Sequence, residues 1–276
     1  MTRSIAGLAI VLSFGVAAAQ VPQSPDNCRA IPDYGDNSII VEWDDVANEL
    51  GYRVYRAGSM AGPFQQVGGD QPPDASTLTD LVPDPTAEYF YLVRAFNLDG
   101  ESADSNIFQQ NVKVVWPYPG HFALLHNWND TIGRAGIGGQ GYHNGLDLQQ
   151  LVGGPQGQIV FPRGGIVSRV GNLGADNNHI FVEVKIGSDV RHDSFNHLDG
   201  PNVNTLGFDV GDYVRAGESL APIGDDYFTG GTLDWVDHVH FYAPNDPFTG
   251  VMDGQNPLKI FLQDHERDPQ EVRPAI

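Results

Sequence analysis

The side chains best suited to chemistry in this chain are its nine histidines, and all of them lie beyond residue 120. Three places stand out. In Gly141-Tyr142-His143-Asn144-Gly145-Leu146-Asp147 a histidine and an aspartate lie four apart, with a glycine between them that lets the backbone bend. Phe195-Asn196-His197-Leu198 follows a strand-like run, and Asp237-His238-Val239-His240-Phe241 sets two histidines around one valine. Side chains at i and i+2 of a strand share a face, so His238 and His240 would project side by side toward one site. Neutral imidazole and carboxylate bind zinc, and a catalytic site takes about three protein ligands with a position left for water. His143, Asp147 and one of His238 and His240 meet that count. The other histidines would stay available for proton transfer, which a zinc hydrolase needs here because no His-Glu-x-x-His glutamate occurs in the chain. A single cysteine, Cys28, excludes an internal disulfide and the zinc sites built from several thiolates.

The remaining histidines read more plainly. His121, His126 and His265 lie in segments without a motif and read as surface or packing residues, although His121, His126 and Asn129 are placed to offer an extra metal ligand in an inactive state. His192 reads as part of a solvated loop, with a place lining the cleft as the alternative, and His179 as a structural residue at the start of a strand. Asp193, Asp199 and Asp237 read as exposed acids that could instead orient the histidines through hydrogen bonds.

The elements that must carry these residues are short strands. Gln158–Phe161, Gly165–Val170 and His179–Ile186 are apolar or alternating runs between glycines, with no helical period of apolar residues through residues 120–246. A mainly antiparallel sheet follows. The earlier part of the chain alternates in the same way at Ser38–Trp43, Gly51–Arg56 and Tyr89–Phe96, between Gly/Pro/Asp clusters, as a sandwich of short strands does. It resembles a fibronectin type III domain over about residues 22–108. The resemblance rests on Trp43 as core tryptophan, Leu81-Val82-Pro83 leading to Tyr89 as the tyrosine corner, and Asn97–Ser102 as a late hairpin turn. Trp43, Tyr52 and Tyr91 sit in the alternating pattern and are expected in the core, not on a carbohydrate-stacking platform.

Taken in order, the elements of the second part resemble the lysostaphin-like zinc metallopeptidases, which cut peptide bonds in bacterial cell-wall peptidoglycan. The resemblance covers roughly residues 137–245: His143–Asp147, Gln158–Pro162 with Gly165–Val167, Asn196-His197-Leu198, the turn-rich hairpin Val210–Leu220, and His238–Phe241. It implies His143, Asp147 and His240 as zinc ligands, and His197 and His238 as the catalytic pair that moves the proton and holds the oxyanion. Where family members often carry a short Gly-Ser/Thr-Gly stretch, residues 223–236 hold three acids and three aromatics, a difference that bears on substrate preference.

The expected fold class is therefore all-β: a signal peptide at 1–19, a fibronectin type III-like domain at 20–108, a linker and entry segment at 109–136, and an antiparallel β-sheet metallopeptidase domain at 137–276. The expected function is an exported zinc metalloendopeptidase acting on peptidoglycan through a zinc-activated water. The alternatives are a catalytically silent cell-wall-binding regulator of an amidase and a secreted protease acting on other proteins. Export is expected from Arg3, the apolar run Ile5–Val16 and Ala17-Ala18-Ala19, which give the three parts of a signal peptide and are too short to span a bilayer. The mature protein is expected to be periplasmic or extracellular, with no membrane anchor.

The net charge of −20 fits these classes. Acids outnumber bases fifteen to four in residues 20–110 and twenty to ten in residues 111–276, so both parts are acidic. No basic stretch is available to neutralise successive phosphates, which argues against nucleic acid and against anionic lipid as partners. The same charge opposes simple electrostatic adhesion to an anionic wall polymer.

Overall fold

The computed structural model describes residues 20–118, 122–126, 131–133, 140–142, 146–150, 158–172, 178–199, 206–222 and 238–242. The proposed signal peptide, His121, His143, the stretch 223–237 and His265 lie outside them. Nineteen strands and no α-helix occur among the described residues. The protein is all-β, as its alternating pattern predicts.

The first unit comprises β1 (Arg29–Asp33), β2 (Ser38–Glu42), β3 (Gly51–Ala57), β4 (Gln65–Gln71), β5 (Thr77–Leu81), β6 (Tyr89–Asn97), β7 (Gly100–Glu101) and β8 (Phe108–Gln110). One sheet runs β5-β2-β1 and the other β4-β3-β6, with β7 and β8 both paired to β6. Their inward residues, among them Ile39, Val41, Tyr52, Val54, Tyr91 and Val93, make one core. Trp43, Tyr52 and Tyr91 are all buried there, which fits packing and not a ligand platform. The Tyr89 hydroxyl donates to the Asp84 carbonyl at 2.9 Å and accepts from its N–H at 3.0 Å, closing the tyrosine corner. Tyr91 donates to Asp80 at 2.7 Å, and Arg56 binds both oxygens of that carboxylate, so this buried acid is paired. Cys28 is buried as well, and burial pushes its thiol pKa up to about 11, where it is a poor nucleophile.

The second unit contains β9 (Phe122–His126), β10 (Thr131–Gly133), β11 (Gln140–Tyr142), β12 (Leu146–Gln150), β13 (Gln158–Val160), β14 (Gly165–Asn172), β15 (Asn178–Ile186), β16 (Asp189–Leu198), β17 (Tyr213–Val214), β18 (Ser219–Pro222) and β19 (His238–Tyr242). Its main sheet runs β14-β15-β16-β19-β12-β9, every neighbour antiparallel. Leu146, Leu148, Ile180, Val182, Phe195 and Phe241 lie on one side of it in a core completed by Phe161 and Leu220. The segment 210–220 is turn-rich as expected, but its two strands do not form a hairpin with each other. Tyr213–Val214 pairs with β14 and Ser219–Pro222 with β13, because each finds an apolar partner on a different sheet.

The two units are joined by more than chain continuity. Asp33 of β1 pairs in parallel with Lys185 of β15, so the two sheets share hydrogen bonds. The Asp33 carboxylate accepts from Gly187 N–H at 2.6 Å and Gly35 N–H at 2.9 Å, and the Tyr34 hydroxyl accepts from Gly164 N–H at 2.6 Å. Between the units, Val112 belongs to the first core and Tyr118 to the second. The first unit therefore buttresses β15, a strand of the sheet that carries the histidines.

Candidate metal centre

The site begins with strand alternation. In β12 Leu146 and Leu148 are buried in the core, and in β19 Val239 and Phe241 are, which leaves Asp147, His238 and His240 on the opposite face of the sheet. Antiparallel pairing then sets Asp147 directly across from His240, and His238 across from Gln149. The next strand, β16, places Asn196 across from His240 on the other side. Residues paired in this way have Cβ atoms about 4.5–5.5 Å apart.

His197 reaches this face through an irregularity. Asn178 pairs with Leu198 and Ile180 with Phe195, so two residues of β16, Asn196 and His197, stand against the single His179 of β15. This is a β-bulge, and it turns two successive residues away from the core that holds both Phe195 and Leu198. His197 carries the cost, with φ at 60°, a left-handed conformation uncommon outside glycine. A strained histidine at a bulge is a feature that functional sites retain. His197→Gly should accordingly be more stable than His197→Ala, by roughly 1–2 kcal/mol, because only glycine takes that φ freely. Urea unfolding of the two variants checks it, and equal midpoints would show that the backbone strain is not felt.

His179 of β15 stands next in the row. The residue is 4% exposed, its ring stands edge-on to Phe181 at 5.7 Å, and neither ring nitrogen has a hydrogen-bond partner among the described residues. Burial, with the nearby Arg169 charge, lowers its pKa. Gly171 of β14 pairs with His179, and a Cβ on that glycine would lie 2.1 Å from Nε2, so the absence of a side chain there makes room for the ring.

Gly171, His179, Asn196 with His197, His240, Asp147 and His126 consequently form one transverse row across six strands. Residues drawn from more than 110 positions of sequence thus stand at one level of the sheet. Of the expected site residues, Asp147, His197, His238 and His240 are brought to this face, and His143 lies outside the described residues. The donor set of imidazole and carboxylate suits zinc. Among the described side chains, another group of possible cation donors is Asp45, Glu49 and Asp74 on the first unit, with ligand atoms within 4.8 Å of one another. It is carboxylate-only and largely exposed, and Asp45 already accepts the Tyr52 hydroxyl at 2.5 Å.

Three residues differ from the sequence reading. His192 is not in a loop but buried in β16, and Asp193 beside it is not an exposed acid. Asp193 is fully buried on the core side, where Arg163 donates to it from Nε at 3.0 Å and Nη2 at 2.6 Å. His126 is a strand residue at register with Asp147, a placement the sequence reading did not make. The signal for Asp193 is absent from local sequence, since its partner lies 30 residues away.

No family model matches the chain, and neither does any curated protein. Among solved structures, an Fn3-like protein from Clostridium thermocellum is similar at 21% identity, covering 35% of this chain and 100% of that one with a TM-score of 0.30. The fn3 domain of human collagen alpha-1(XX) chain is similar at 23% identity over 35% of this chain and 90% of its own, with a TM-score of 0.29. A zinc containing peptidase from Vibrio cholerae is similar at 14% identity over 78% of this chain and 81% of that chain, with a TM-score of 0.37.

Proposed function

We propose that the protein is an exported zinc metalloendopeptidase that hydrolyses peptide bonds of bacterial peptidoglycan. The observation that supports this reading most is the transverse row, in which cross-strand pairing brings Asp147, His240 and His197 together on one face with His238 one step along the strand. His143, Asp147 and His240 would hold zinc, which when bound supplies a Lewis acid at the scissile carbonyl and an acidified water. His197 and His238 would take the proton from the attacking water and deliver it to the leaving amine, as neutral imidazoles near pH 7 can. The bulge fixes His197 against His179, and the sheet fixes His238 two residues from a metal ligand. Both proton carriers are thus positioned by backbone rather than by flexible loops.

The experiment is a paired one. Purified protein lacking residues 1–19 is analysed for bound zinc and incubated with peptidoglycan, and the released muropeptides are identified by mass spectrometry. One zinc per chain and newly cleaved stem or cross-link peptides are expected, both lost with a chelator. Zinc without muropeptide release, but with hydrolysis of casein or elastin, would replace the peptidoglycan substrate by other proteins. Zinc without any hydrolysis would leave the silent regulator as the reading.

A further inference from the structure

The chain between the two units is packed along its path. Gln110 and Asn111 are 2% and 1% exposed, so the crossing begins in the interior. The Asn111 amide donates to Glu88 of the first unit at 3.1 Å and to the Ala216 carbonyl of the second at 3.3 Å. Val112 then joins the first core, while Val114, Trp116 and Tyr118 pack with the second. Val115 N–H donates to the Pro162 carbonyl, and Val160 N–H to the Pro117 carbonyl, both at 2.9 Å. Domains on an exposed linker move relative to one another by default, and this connection is of the opposite kind.

A second contact lies at the turn after β1, against the turn that joins β15 to β16. Tyr34 N–H donates to the Lys185 carbonyl at 3.0 Å, and the Tyr34 side chain packs against both cores. Gly35 shows how close the approach is. Its φ lies outside the left-handed region, so its own backbone does not call for glycine. A Cβ there would nevertheless lie 2.3 Å from the nitrogen and 2.7 Å from the Cα of Gly187. Backbone meets backbone at this point, and a residue without a side chain permits it. From these contacts we infer that the first unit is an internal scaffold of the body that carries the histidines: its turn at residues 33–35 holds the β15–β16 hairpin, and the two units open and unfold as one.

Amide hydrogen exchange of the unaltered protein in low urea tests this without a variant. The slowest amides of the first core, around Tyr91 and Val93, and of the second, around Val182 and Phe195, should share one opening free energy and one urea dependence. Calorimetry should show a single transition. Two opening levels, or two transitions, would overturn the inference. Gly35→Ala, which sets a methyl against the Gly187 backbone, should speed exchange over residues 183–192 about tenfold or more, although the substitution lies in the other unit. Gly58→Ala is the control, since a Cβ there meets nothing within 4 Å, and it should leave those amides unchanged. Exchange over 183–192 that Gly35→Ala does not alter, or that both substitutions alter equally, would show that the turn does not hold the hairpin. Neither measurement involves metal or substrate, so the outcome is independent of the zinc reading.

Discussion

Replacing His240 by alanine is expected to abolish hydrolysis and release zinc while leaving the sheet folded. His240 lies at the middle of the row, paired to Asp147 on one side and Asn196 on the other, and the zinc reading makes it a ligand. The fold should survive because the core on the opposite face is made by Val239 and Phe241, which the substitution does not touch. A metal acting as Lewis acid contributes several kcal/mol to the transition state, and at about 1.4 kcal/mol per tenfold its loss costs on the order of 10³-fold or more in turnover. His238→Ala separates the two roles. It should retain zinc and lose about 10²–10⁴-fold in turnover, the usual contribution of a positioned proton carrier. Metal analysis and muropeptide release, run on both variants, decide the matter. Stoichiometric zinc retained by His240→Ala would sink the ligand assignment, and near-normal turnover in His238→Ala would leave the proton transfers to His197 alone.

The largest effect on stability is expected at Asp193. Its side chain is 1% exposed and that of Arg163 is 5% exposed, and the two meet through paired hydrogen bonds of 3.0 and 2.6 Å. Removing one partner strands the other charge in the core, which costs about 3–5 kcal/mol, a large part of the ~5–15 kcal/mol by which domains are stable. Asp193→Ala should therefore lower the midpoint of thermal unfolding by roughly 6–20 °C. Replacing both partners by apolar residues of matching volume, Arg163→Met with Asp193→Leu, should recover most of the loss, since a buried pair exchanged for packing is often neutral. Calorimetry on the single and double variants tests this, and a single variant as stable as the native chain would show the pair to be dispensable. The loss should reach beyond the second unit, because the Arg163 guanidinium also lies over the Tyr34 ring of the first at 5.9 Å. Tyr34 in turn receives the Gly164 N–H.

The strands themselves were legible in the sequence because alternation is a local property. Ser38–Trp43, Gly51–Arg56, Tyr89–Phe96 and His179–Ile186 each appear within a residue or two as a strand. Tyr89 could be read as a corner because its partner, Asp84, is five residues away. His192 and Asp193 could not be read correctly, since a short polar run between a turn and a motif looks like a loop until its partners are known. Asp193 is buried because Arg163 comes to it from another strand connection, and no local pattern encodes that meeting.

For the site, sequence alone determined which residue types are available and, through the two-residue period, that His238 and His240 share a face. It determined that no zinc site of several thiolates and no His-Glu-x-x-His motif can be built from this chain. Tertiary structure decided which strands lie beside one another, and with that the row of His179, Asn196, His240, Asp147 and His126. The physical reason is register. A shift of one residue moves a side chain to the other face of a sheet, and the two bulges, at His197 and at His126, are such shifts, set by long-range pairing rather than by their own neighbours in sequence.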